Sequence, residues 1–193
     1  RYLCRMRPTR SKIGGGRRRN GIIKYMEILI PGLILVALMV YASTRIKKSA
    51  AKAYEAETIQ TEDFVIQKPA GFLTVIGGDP QYEFESYSKE FGTDEASEFR
   101  RATAHITVYN AGSRPVKPDA GDEIISDVSK KINGRSYRVT EARRKVKNVE
   151  FKVFRKSAER NGRIVKLEIV ALSETTDEFI RDIESMLQSF EVK

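Results

Sequence analysis

Seventeen consecutive residues, Ile28 to Thr44, carry no charge, and this run limits what the chain can become more than any other stretch. At about 1.5 Å per residue, a helix of roughly 17–20 residues crosses the roughly 30 Å hydrocarbon layer of a bilayer. Lipid offers backbone amides no hydrogen-bond partner, so a run placed there must be helical. Tyr25 and Tyr41 stand at its two ends, where aromatic rings settle among headgroups. Glu27 belongs at the interface, with Lys24 three residues earlier on the same helix face as its partner. Arg45 opens the basic flank beyond. Lys24, Tyr25, Glu27, Tyr41 and Arg45 are therefore the expected membrane-interface residues. Pro31 and Gly32 fall in the first turns, where a bilayer tolerates a kink better than water does.

The flanking charges set an orientation. Nine Lys/Arg precede the run and four (Arg45, Lys47, Lys48, Lys52) follow it closely, so the N-terminal side is expected in the cytoplasm and the remainder outside. A cleaved signal peptide is the rival, with Val40 and Ala42 before a cut at Ser43. The long basic segment ahead of the run and the positive charges after it oppose that reading. A buried helix of a soluble protein is a third possibility, opposed by the same basic brackets. "IGGGRRRN" lacks the Lys-Ser/Thr pair and the preceding strand of a phosphate loop, and reads as a basic tail on an anionic leaflet.

The overall charge of +9 points at first to nucleic acid, but its distribution does not. Residues 1–52 hold 13 Lys/Arg and one acid; residues 53–193 hold 22 Lys/Arg and 25 acids, a net −3. A nucleic-acid domain needs its own positive field, so no nucleic acid is expected as a partner. Cys4 is the sole cysteine, so no intramolecular disulfide can form.

Beyond a linker and helical continuation at 45–60, strands are expected at Phe64–Gln67, Leu73–Ile76, within "YEFESYSKEF", and at "RRATAHITVYN". In the last, Ala102, Ala104, Ile106 and Val108 share one face. Gly112, Pro115 and Pro118 mark a loop. "DAGDEIISDVSKKING" reads as a helix: Ile124, Val128 and Ile132 recur every four residues, Asp119 or Asp122 caps the start and Gly134 ends it. Three strands follow, near Tyr137–Val146, Val149–Lys156 and Ile164–Leu172. Asn161-Gly162 suits a type I′ hairpin, which makes opposed residue numbers sum to 323. Phe154 then faces Ile169, Lys156 faces Leu167, and Arg155 faces Glu168. A closing helix carries Phe179, Ile180, Ile183, Met186, Leu187 and Phe190 as one apolar stripe, with Thr175 and Glu178 as a capping box. The expected class is α+β: a single transmembrane helix, then an antiparallel sheet packed with two helices.

This layout resembles the PsbP-like domain of photosystem II extrinsic proteins. The matching pieces are "FVIQKPAGF", a strand with a Pro-x-Gly-aromatic turn; the hairpin "EFKVFRKSAERNGRIVKLEIVAL"; and the closing "FIRDIESMLQSFEV". The resemblance covers residues 60–192 and implies α/β/α layering and a mostly non-catalytic role beside membrane complexes. It transfers no binding residue, because no functional motif of that family is matched. The uncleaved anchor and the lack of a plant-type transit peptide depart from its photosynthetic members.

No catalytic constellation emerges. His105, the only histidine, sits mid-strand without a ligand cluster, so no metal or cofactor is expected. Serines lie in no nucleophile-elbow motif. Residues 130–166 do concentrate 14 Lys/Arg against three acids. A docking face through Arg143, Lys145, Lys147, Lys152 and Lys156 would follow, unless those charges are solvated or paired with acids.

The expected organisation is a cytoplasmic tail (1–24), a transmembrane helix (25–44), the linker (45–60) and an extracytoplasmic domain (61–193). The expected function is a non-catalytic accessory or binding module beside a larger membrane-protein complex. The alternatives are an envelope protein holding anionic lipid or polymer through the basic face, and an enzyme of unknown class.

Overall fold

The computed structural model describes residues 19–112 and 121–193, with side chains from Leu29 onward. Asp119, Pro115 and Pro118 lie outside the described residues. The chain divides into two units, one ending at Lys48 and the other running Ser49–Lys193. Helix α1 spans Arg19–Ala53 and contains Pro31. Its stretch Leu29–Ala53 is long and apolar enough to cross a membrane. Leu29, Leu33, Leu38 and Met39 are each at least 60% exposed among the described residues. The Thr44 hydroxyl donates to the Val40 carbonyl at 2.7 Å, and the Arg45 guanidinium lies 5.9 Å from the centre of the Tyr41 ring. Lys24, Tyr25 and Glu27 fall within α1, but their side chains are outside the described ones.

The domain is built on short turns. Strands β1 (Glu57–Gln60), β2 (Phe64–Lys68), β3 (Phe72–Thr74), β4 (Phe84–Ser88) and β5 (Ala102–Asn110) come first. β6 (Asp122–Ile132), β7 (Arg135–Val146), β8 (Val149–Arg160) and β9 (Arg163–Leu172) follow, then α2 (Asp177–Ser189) and β10 (Glu191–Val192). β1 lies inside the segment expected as a linker. The main sheet is antiparallel in the order β3-β4-β5-β9-β8-β7-β6, and β1-β2-β10 form a small second sheet. Three two-residue turns join β6 to β9: Asn133-Gly134, Lys147-Asn148 and Asn161-Gly162. All six residues have positive φ, from 47° to 81°, the geometry whose twist matches paired strands. The β8–β9 register sums to 323 as expected, with Phe154 opposite Ile169, Lys156 opposite Leu167 and Arg155 opposite Glu168.

The segment expected as a helix from Asp119 or Asp122 to Gly134 is instead the edge strand β6. A spacing of four keeps Ile124, Val128 and Ile132 on one side of a helix, but it is also twice the strand period. β-branched residues and the Asn133-Gly134 turn favour the strand. The pairing shifts between Ile124 and Ser126, so Ile125 is the extra residue of a bulge rather than part of a helical stripe. Among the described residues the domain thus holds one α-helix, and the α+β class stands.

One face of the main sheet forms the core. Ala102, Ala104, Ile106, Phe154, Val165, Leu167, Ile169 and Ala171 pack there with Phe64, Ile66, Phe72, Ile183, Met186 and Phe190. The α2 stripe therefore covers the sheet, with Phe179, Ile180 and Leu187 partly buried beside it. Its expected capping box does not form. Thr176 is the N-cap without a side-chain bond, and the Thr175 hydroxyl donates to Leu172 O instead. On the opposite face a smaller cluster of Val149, Phe151, Leu172 and Ala96 sits under the 3-10 turn Asp94–Ala96.

Candidate functional site

Strand alternation sorts the basic residues of β7 and β8 onto two faces with different chemistry. Arg143 and Lys145 of β7 and Lys152 of β8 share the face on which α2 packs, because Arg143 opposes Lys152 and Lys152 is two residues from the core residue Phe154. Arg143 and Lys145 are exposed and Lys152 is half-buried. Acids interleave with them: Glu123 opposes Arg143, Lys145 opposes Glu150, and Glu141 opposes Phe154. The patch therefore alternates three cations with three carboxylates. Lys147 lies in the turn, its ammonium 3.3 Å from Glu98.

Lys156 is not on a docking surface. It is 3% exposed, and its ammonium donates to the carbonyls of Leu187, Gln188 and Phe190 at 3.0, 3.3 and 2.8 Å. These are the orphan acceptors at the end of α2, where a cation also meets the negative end of the helix dipole. Its Nζ lies 4.9 Å from the Tyr137 ring centre. Burial pushes its pKa down, opposed by the charge of Glu191. Lys68 repeats the device. It is 1% exposed and donates to Ala53 and Phe72 carbonyls at 3.0 and 2.8 Å.

The opposite face carries an ionic network that joins four strands, β6 to β9. The Arg155 guanidinium donates to Glu168 at 2.7 Å and also to Asp122. Arg144 donates to Asp122 at 2.7 Å, and Lys166 reaches Glu168 at 3.3 Å. The Asp122 side chain is fully buried and that of Glu168 is 7% exposed. Burial alone would raise both carboxyls. Hydrogen bonds from Arg144 and Arg155 outweigh it at Asp122, and Arg155 with Lys166 does so at Glu168, so both are held below the ordinary carboxylate range. His105 stands at the rim, 3.8 Å from Glu168 and tilted against the Tyr82 ring, with ring centres 4.5 Å apart. Burial pushes its pKa down against the pull of Glu168. The network therefore ties β6, β7, β8 and β9 together. Asp122 is the member that sequence reasoning missed, because it was placed as a helix cap. Had the Asn133-Gly134 hairpin been recognised, its register would have brought Asp122 close to Arg144.

Two open clefts lie elsewhere. The larger, about 470 Å³, is lined by Asp94, Glu95, Glu150 and Glu174 with Thr93 and Ser173. The smaller, about 260 Å³, is lined by Lys89, Glu90, Arg101, Glu178 and Asp182 around Phe179. Among the described residues no group of three or more His, Cys, Asp or Glu could hold a metal ion.

No family model and no curated protein matches the chain. Solved structures do. The solution structure of cyanobacterial PsbP (CyanoP) from Synechocystis sp. PCC 6803 is similar with a TM-score of 0.50 and 14% identity, covering 72% of this chain and 92% of that one. The crystal structure of LpqN, involved in cell envelope biogenesis of Mycobacterium tuberculosis, is similar with a TM-score of 0.53 and 9% identity, covering 72% and 91%. At such identities the likeness is one of fold, and the fold of this chain is PsbP-like α+β.

Proposed function

We propose that the chain is a single-pass membrane protein whose sheet domain, outside a cytoplasmic membrane, is a non-catalytic accessory module beside a larger membrane complex. The observation that carries this reading is the uncovered apolar segment of α1 in the same chain as a PsbP-like domain. The flanking-charge asymmetry supports the orientation. An envelope location also agrees with LpqN, whose fold is similar and whose description ties it to the cell envelope.

The patch of exposed Arg143 and Lys145 with half-buried Lys152 favours a protein partner over an anionic lipid or polymer. Glu123, Glu141 and Glu150 cancel its net positive field, and a polyanion needs such a field. Alternating signs suit a protein surface with the complementary pattern. Extraction of the full chain from its native membranes in mild detergent tests this reading. A stoichiometric complex with a membrane protein is expected at low salt. Higher salt and charge reversal at Arg143, Lys145 and Lys152 should weaken it about tenfold, because exposed pairs are screened beyond roughly 10 Å at 0.1 M salt. Recovery of the chain without another protein at every salt would refute the proposal.

A further inference from the structure

Among the described residues β6 is an eleven-residue edge strand that pairs with β7 alone, whereas the other edge, β3, has three residues. Long edges invite strand addition. This one also exposes apolar side chains: Ile124 by 49%, Ile125 by 50% and Val128 by 44%. The hairpin register decides which backbone groups are free. In a two-residue type I′ hairpin the flanking pair, here Ile132 and Arg135, exchanges both hydrogen bonds, and alternate pairs do not. Counting back to the bulge, Ser126, Val128 and Lys130 bond to β7. Asp127, Ser129 and Lys131 turn their N–H and C=O outward.

The stretch Ser126–Ile132, S-D-V-S-K-K-I, is self-complementary when antiparallel. Its acid lies before Ser129 and its two lysines after it. We propose that β6 pairs with β6 of a second copy of this chain about a two-fold axis through Ser129, joining two main sheets edge to edge. Asp127 then opposes the second copy's Lys131, and Lys131 its Asp127, at positions whose backbone groups point across the interface. Val128 opposes the aliphatic stem of Lys130 and lies diagonal to the second Val128, which covers its exposed surface. The Ile124/Ser126 bulge ends the pairing. A seven-residue strand pair buries less than the roughly 1,200–2,000 Å² of a standard stable interface, so the contact is weak at dilution. Chains anchored in one membrane meet at raised effective concentration.

The test uses the full chain in lipid vesicles. In a Cys4→Ser background, Ser129→Cys should give a covalent dimer on mild oxidation, because paired residues about 5.5 Å apart are within disulfide reach. Val128→Cys, which does not face itself, should cross-link at least tenfold less. Ser129→Pro removes only an outward N–H, which an edge strand tolerates. It should abolish energy transfer between labelled copies while circular dichroism stays unchanged. If Ser129→Pro unfolds the domain, the Ser129/Val128 cross-linking contrast still decides. Equal cross-linking at both positions, or dimers that survive a folded Ser129→Pro chain, would overturn the proposal and move any interface elsewhere, α1 included.

Discussion

Asp122→Asn is expected to destabilise the domain by about 3–5 kcal/mol, the usual consequence of removing one partner from a buried ion cluster. The substitution barely changes volume, so the loss is electrostatic. Arg144 and Arg155 would be left with Glu168 as their shared carboxylate, and β6 would lose its tie to β8. Hydrogen exchange of the full chain in detergent should show faster opening of β6 and β7, with β5 much less affected. The same cluster sets the acid response. Asp122 and Glu168 have folded pKa values below their ordinary 3.8 and 4.5. Their stabilisation is complete above those ordinary values and is lost as pH falls through the lower folded ones. Stability should therefore drop steeply below about pH 4 in the wild type and less steeply in Asp122→Asn. Parallel acid profiles for the two chains would show that the network is not the cause.

Lys156→Met should cost about 2–4 kcal/mol although methionine fits the space and suits an apolar core. The substitution takes the ammonium from three carbonyls at the end of α2, one buried and two part-buried; a buried one left unpaired costs about 1–3 kcal/mol, and water recovers part of the rest. The loss should be local. Phe190 and β10 follow directly, and the backbone N–H of Val192 donates to the Tyr137 hydroxyl at 3.1 Å, so the C-terminus should loosen first. Denaturation of the full chain in detergent, followed by circular dichroism with exchange at Glu191–Lys193, would read both effects. An unchanged midpoint with unaltered C-terminal exchange would mean that the carbonyls are satisfied without the lysine.

These two residues show where the sequence is legible. The Asn161-Gly162 turn fixes the β8–β9 register from local chemistry alone, so the Arg155–Glu168 pair is legible in the sequence. The same dipeptide at 133–134 reads equally as a helix stop, because a four-residue apolar spacing fits both periods and Ile125, the bulge residue, tips it toward helix. That one choice hid β6, Asp122 and the free edge together. Lys156 was a different failure. Alternation already put it on the core face beside Phe154 and opposite Leu167. Its partners lie more than 30 residues away at the end of α2, and no local pattern shows them. Lys68 has nearer carbonyl partners, Ala53 and Phe72 on the two sides of β2, but strand alternation alone does not show them. Hairpin registers are local and can be read from turns, whereas buried charges answer to tertiary partners.

The most direct measurement is a cysteine map of the full chain in a bacterial inner membrane. Cys4 probes the N-terminal side of α1. Arg160→Cys in a Cys4→Ser background probes the exposed end of the β8–β9 hairpin. A membrane-impermeant maleimide should label Arg160→Cys in intact cells and Cys4 only after the membrane is opened. Labelling of Cys4 in intact cells, or protection of Arg160→Cys until permeabilisation, would contradict a chain that crosses the membrane at Ile28–Thr44 with its sheet domain outside.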